Sequence, residues 1–209
     1  MAKGQRSPDR KEHITSETYA LIMEYGLSGT TTARIAARVG VTEAALYRHF
    51  KNRREIMLAV FEQVSSRFLA LLISDEENVP DYIKTISLAL YRYIMKHPDD
   101  AKVIYEFICS SPSENLRANF RGRLMEMLTF LEHLLAKGIK QGTLRRDIHP
   151  RRIAWELFGL GSTISFAALL DFQQELTEDL AMDSLSQFID RIRAEKNPTK
   201  PLKKTYSSY

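Results

Sequence analysis

Apolar residues return every three or four positions along most of the chain, and the stretches that keep this rhythm are separated by short clusters of Gly, Pro, Ser, Thr and Asn. That spacing is one face of an α-helix, and no segment alternates long enough to name a strand. Ser7-Pro8 offers an N-cap followed by a proline at the first helical position, so a helix is expected from there to about Tyr25. Its apolar positions are Ile14, Tyr19, Ala20, Ile22 and Met23, and Gly26 with Ser28-Gly29 ends it. Thr31 or Thr32 then caps a short helix through Val39, Gly40 makes a turn, and Thr42 caps another through about Phe50. Asn52 and Glu55 have the capping-box spacing, each side chain able to reach the other's backbone N–H, and should start a long helix to about Ile73.

Asn78-Val79-Pro80-Asp81 starts the next helix, which His97-Pro98 stops because a proline disfavours helical geometry in the residue before it. Further helices are expected over 99–109, from the Ser111-Pro112-Ser113-Glu114 start signal to about Lys140, from Pro150 to about Leu170, and from about Glu178 to Arg193. The pattern predicts an all-α fold of about nine helices. A unit of three helices would occupy residues 1–51, a larger helical unit 52–195, and a mobile basic tail 196–209.

Composition narrows the classes. At 209 residues and 44% apolar content the chain can bury a sizeable core. Charge interrupts the apolar stretches before the ~18 to 20 residues a membrane span needs, so no membrane partner is expected. No secretory signal leads the sequence, and the single cysteine, Cys109, fits a cytoplasmic protein. Charge is unevenly spread: residues 1–54 hold 10 Lys and Arg against 5 Asp and Glu, whereas 55–195 hold 16 against 21. A polyanion would meet the N-terminal segment and be repelled by the body.

Ile35 and Val39 share a face of the second helix, Leu46 and Phe50 a face of the third, and Val41 sits at the turn, so a small apolar core can lock the pair. The opposite side of the third helix would then present Glu43, Ala44, Tyr47 and Arg48, where a recognition helix meets base edges in the major groove. Gly26, Thr31, Ile35-Ala36, Gly40-Val41-Thr42 and Leu46-Tyr47-Arg48-His49-Phe50 with Arg53 resemble the DNA-binding segment of TetR-type bacterial regulators, over about Ile14 to Ile56. The resemblance implies that Thr31, Thr32, Tyr47, His49 and Arg53 hold phosphates, while Glu43, Ala44 and Arg48 read bases. Arg48 would pair with guanine, Glu43 accept from cytosine, and the Ala44 methyl touch thymine, at ~1 to 3 kcal/mol for a good pair. Thr42 and Lys51 complete the expected surface. Ala45 and Arg34 belong to it but depart from the family, standing where a threonine and an acid are common.

The resemblance also implies a homodimer on double-stranded operator DNA and a pocket in the body for a small, apolar effector. Candidate lining residues are Phe61, Val64, Phe68, Tyr91, Met95, Tyr105, Ile108, Phe120, Leu124, Leu128, Trp155 and Phe158, each equally readable as bundle core. Arginines 117, 121, 123, 145, 146, 151 and 152 could serve a phosphorylated ligand such as an acyl-coenzyme A, or form a solvated face. Phe158, Gly161, Ser162, Phe166, Leu185, Phe188, Ile189 and Ile192 are the candidate dimer interface. No dinucleotide fingerprint, phosphate loop, HExxH or nucleophile elbow is present, and no two of the five histidines stand at metal-ligand spacing. No enzyme, cofactor or metal is therefore expected. The rival reading is a DNA binder of the same fold with an architectural or division-control role, whose core would be filled instead of hollow.

Overall fold

The computed structural model describes residues 7–110 and 114–194, and these form nine helices: α1 (Ser7–Gly29), α2 (Thr32–Val39), α3 (Glu43–Leu46), α4 (Arg53–Ala70), α5 (Val79–Lys96), α6 (Pro98–Ser110), α7 (Glu114–Gln141), α8 (Pro150–Leu169) and α9 (Glu178–Ile192). The expected start signal at 111–113 and the basic tail at 196–209 lie outside the described residues. Among the described residues there is no strand, only one isolated bridge between Leu144 and Arg193. Likewise, no helix there is long and apolar enough to cross a membrane.

The caps follow the sequence closely. Thr31, Thr42, Asn52 and Asn78 accept from the backbone N–H three residues on, satisfying one of the donors that a helix start leaves unpaired. Three details differ from expectation. Gly26 breaks α1 with φ +69°, yet one more turn forms before Gly29, because the Thr30 hydroxyl donates back to the Gly26 carbonyl at 2.8 Å. The regular part of α3 is only four residues; it then tightens into a turn in which the Arg48 and His49 N–H groups reach the carbonyls three residues back. The Glu55 carboxylate takes the N–H of Lys51 at 2.5 Å, one residue earlier than a reciprocal capping box with Asn52 would have it.

Two main apolar clusters and a smaller one hold the helices. The first gathers Ile14, Leu21, Ile22 and Leu27 of α1, Ile35 and Val39 of α2, Leu46, and Phe50, and runs without interruption into Val60, Phe61 and Val64 of α4, Val103 and Phe107 of α6 and Leu116 of α7. The second is built from α5, α7, α8 and α9, and the third joins Tyr91 and Ile94 of α5 to Ile164 and Ala168 of α8. In the second cluster α7 comes so near the following loop that a Cβ on Gly138 would lie 2.6 Å from Leu144 Cδ1 and 3.1 Å from Val79 Cβ. Gly138→Ala is accordingly expected to lower stability by about 1 to 3 kcal/mol through overpacking, measurable as a lower denaturant midpoint with unchanged slope.

Where α1, α4, α5 and α6 meet, Asp100 is 1% exposed. Its Oδ1 accepts from the Tyr19 hydroxyl and from Arg67 Nη1, each at 2.8 Å, and its Oδ2 accepts from the Tyr93 hydroxyl. Burial and the hydrogen bond to Asp100 push Tyr93 up to about 12 and raise Tyr19 further in the same direction. Both hydroxyls therefore stay protonated and donating.

Candidate nucleic-acid interface

Helices α2 and α3 are joined by a turn whose geometry the sequence dictates. Gly40 sits at φ +74°, ψ +38°, a left-handed conformation that costs glycine little. From there its N–H reaches the Ala37 carbonyl at 3.2 Å and the Val41 N–H reaches Ala36 at 2.9 Å, the paired bonds of a Schellman ending. Leu46 is fully buried and Phe50 nearly so, which seats α3 against α2. The other side of α3 is open: Thr42, Glu43, Ala44, Tyr47 and Arg48 are exposed together, while Ala45 and His49 are half-buried on the flank.

The basic residues divide into two groups. Arg34 and Arg53 are spent on the end of α1. Arg34 Nη1 donates to the Gly29 carbonyl at 2.6 Å with its guanidinium 4.4 Å from the Tyr25 ring centre. Arg53, whose pKa burial lowers, donates Nε to the Thr30 carbonyl at 2.9 Å and Nη2 to the Leu27 carbonyl at 2.5 Å. Their donors meet carbonyls that a helix end leaves bare, while Arg34 stays exposed and Arg53 half-buried. Arg38 is likewise held by Glu24 at 2.7 Å. Arg48, Lys51 and Arg54, by contrast, are exposed and make no side-chain hydrogen bond or ion pair among the described residues. Sequence reasoning missed Arg54, although its place in the first turn after Asn52 put it beside Lys51. Thr31 and Thr42 use their oxygens as acceptors for capping, so each hydroxyl still has its own O–H to donate.

The body places its candidates differently. Phe61, Val64 and Phe120 pack in the first cluster, with the Phe61 ring 5.5 Å from Phe107 and 6.0 Å from Phe120. Leu124, Leu128 and Phe158 belong to the second, and Phe68, Tyr91 and Met95 to the third. Tyr105 is half-buried with its ring 5.0 Å from Phe166, while Ile108 and Trp155 are exposed. The twelve are thus dispersed over three clusters and the surface instead of surrounding one cavity. A cleft of about 590 Å³ opens between α4 and α7, lined by Arg54, Leu58, Glu62, Gly122, Arg123 and neighbours; a mainly apolar hollow of about 130 Å³ lies between α5, α8 and α9. None of the twelve lines either. Most of the body arginines are matched to acids: Arg121 to Glu114, Arg123 to Glu62 and Glu126, Arg145 to Asp147, Arg151 to Glu132 and Arg152 to Glu156.

The expected dimer residues separate as well. Leu185, Ile189 and Ile192 are corrected to intrachain core: at 4%, 0% and 1% exposure they pack against Val79, Tyr82 and Leu135, and cannot also face a partner. Phe166 is 52% exposed, Gly161, Ser162, Phe158 and Phe188 are half-buried, and Trp155, Gly159, Thr163 and Leu170 extend the open stripe of α8 at three- and four-residue intervals.

An all-helical chain with a basic, glycine-turned helix pair at its N-terminal end and an open stripe on its recognition helix is a DNA-binding helix-turn-helix protein. Residues 14–60 match the family model described as bacterial regulatory proteins, tetR family. The match lies on the helix-turn-helix segment, which is a DNA-binding segment of that family's type. Among curated proteins it is similar to the nucleoid occlusion factor SlmA of Marinobacter nauticus, 27% identical over 71% of this chain and 76% of that one, and to SlmA of Vibrio vulnificus, 23% identical over 86% and 93%. Among solved structures, a TetR transcription regulator from Haloarcula marismortui superposes with a TM-score of 0.75 at 21% identity, covering 89% of this chain and 99% of that one. AibR, in complex with isovaleryl coenzyme A and operator DNA, does so at 0.65 and 21%, covering 85% and 96%.

Proposed function

We propose that the chain acts as a cytoplasmic homodimer that binds a DNA element with two half-sites, presenting one α3 to each of two successive major grooves about 34 to 36 Å apart. The observation that carries this reading is the open side of α3, where Glu43, Ala44, Tyr47 and Arg48 are exposed, followed in the chain by exposed Lys51 and Arg54, with none of the three cations held by an acid among the described residues. Thr31, Thr32, Thr42, Tyr47, His49, Lys51 and Arg54 would fix the register on phosphates, and Glu43, Ala44 and Arg48 would read bases. The second protomer would cover the open stripe of α8, from Trp155 through Phe166 to Leu170, which is too apolar to stand in water for no reason.

For the body, a specific observation favours an architectural or division-control role over release by a small apolar effector. The interior is packed in three clusters, the apolar hollow of about 130 Å³ is smaller than the about 300 Å³ at which ligand pockets begin, and the larger cleft of about 590 Å³ is lined mainly by the charged and polar side chains of Arg54, Glu62, Asn119, Arg123 and Glu126, unsuited to an apolar effector. The likeness to nucleoid occlusion factors supports the same choice. An effector-released repressor is the second reading, supported by the likeness in fold to AibR.

Selection from a random DNA library at fixed salt tests the proposal, with a two-half-site consensus as the expected result; steeply salt-dependent binding without a consensus would overturn it. Arg48→Ala should relax the preference at one position of each half-site and weaken that contact by about 1 to 3 kcal/mol. Equal weakening on every sequence would move Arg48 to the phosphate-binding group. Selection from genomic fragments separates the two body readings, since a few promoter sites fit an effector-released repressor and many dispersed sites fit an architectural or division-control binder.

A further inference from the structure

Besides their apolar packing, α6 and α1 are joined by hydrogen bonds at two points, both accepted by acidic side chains. At the first, the buried carboxylate of Asp100 receives the Tyr19 hydroxyl of α1 at 2.8 Å, together with Arg67 of α4 and Tyr93 of α5. At the second, the break at Gly26 deprives the Leu27 N–H of its place in the helical ladder, and Glu106 Oε2 accepts it at 3.1 Å. The two points are six residues apart on α6, about 9 Å at the rise of a helix. A single such bond acts as a pivot, whereas two separated bonds fix a direction. The second point leads straight to the DNA-binding surface. The Leu27 carbonyl takes Arg53 Nη2 at 2.5 Å, and Arg53 opens α4 seven residues after the last residue of α3.

We propose that Asp100 and Glu106 are positioning residues for DNA binding: by gripping α1 at Tyr19 and Leu27, α6 sets the tilt at which each protomer presents α3, and hence the separation of half-sites that the dimer accepts. This rests on the two-half-site reading above. An apolar residue would fill the Asp100 site with less desolvation cost; a carboxylate receiving three donors instead imposes one geometry on three neighbouring helices.

The test measures binding to the selected consensus half-site, duplicated at the preferred spacing and at spacings changed by one and two base pairs. Tyr19→Phe deletes the hydrogen bond that crosses to α1, and Glu106→Ala deletes the second grip. Each should weaken binding at the preferred spacing by about three- to tenfold and flatten the spacing profile. Tyr93→Phe deletes a hydrogen bond to the same carboxylate from within the body and should leave the profile as in the unmodified protein. Glu106→Gln, which keeps an acceptor oxygen for Leu27, should restore it. Folded dimers of Tyr19→Phe and Glu106→Ala with an unchanged profile would overturn the inference, as would a profile flattened equally by Tyr93→Phe. Should Glu106→Ala not fold, the Tyr19 and Tyr93 variants, each lacking one oxygen atom, still decide the matter. A wild-type protein that selects no two-half-site consensus removes the two-half-site reading and this inference together; a clear consensus with unaltered variants removes the inference alone.

Discussion

Asp100→Ala is expected to cost about 3 kcal/mol of folding stability. The substitution strands two tyrosine hydroxyls and a guanidinium that all point at one vanished carboxylate. Leaving a buried donor unsatisfied costs about 1 to 3 kcal/mol, and removing one partner of a buried ion pair about 3 to 5. The Arg67 side chain is 40% exposed, so water recovers part of its loss, and the total falls toward the lower end of that range. Chemical denaturation at neutral pH measures it. A loss below about 1 kcal/mol would mean that water enters the junction freely.

Leu46→Ala should abolish sequence-specific DNA binding while costing about 2 to 4 kcal/mol. Leu46 is the only fully buried side chain of a helix just four residues long, so α3 has almost no stability of its own and is held in shape by that one contact, with Phe50 beyond it. Truncation removes the anchor without touching any residue of the exposed stripe. The expected outcome is a protein that retains most of its helical circular dichroism but binds DNA with only the weak, salt-steep affinity of its basic surface. Retention of the consensus would show that the turn at Gly40 and the cap at Thr42 suffice to order α3.

Much of this was legible in the sequence because it is local. Caps at Thr42, Asn52 and Asn78, the glycine turn at 40, and the prolines at 80, 98 and 150 set helix limits through chemistry within a few residues, and the structure follows them closely. The open face of α3 was legible for the same reason, since Leu46 and Phe50 leave only one side for Glu43, Ala44, Tyr47 and Arg48. Long-range pairing was not. Periodicity correctly marked Leu185, Ile189 and Ile192 as an apolar face, but an apolar face does not say whether it will meet its own chain or another, and here it packs within the second cluster, chiefly on α5. Nothing local reveals that the carbonyls of Leu27 and Thr30 take donors from Arg53. Asp100 did carry a readable clue. It falls in step with Val103 and Phe107 on the buried side of α6, and a charged residue in register with an apolar face must find partners inside.

The first apolar cluster has a bearing on how such a protein diverges. Because Ile14, Ile22 and Leu27 share one continuous interior with Val64, Val103 and Phe107, the DNA reader is not a detachable cassette. Exchanging residues 1–51 with those of a distant relative would set foreign side chains against α4 and α6, leaving mismatched surfaces on both sides of the cut. New operator preferences are therefore reached most cheaply by changing the few outward residues of α3 one at a time, while the inward ones and the faces of α4 and α6 can change only in concert.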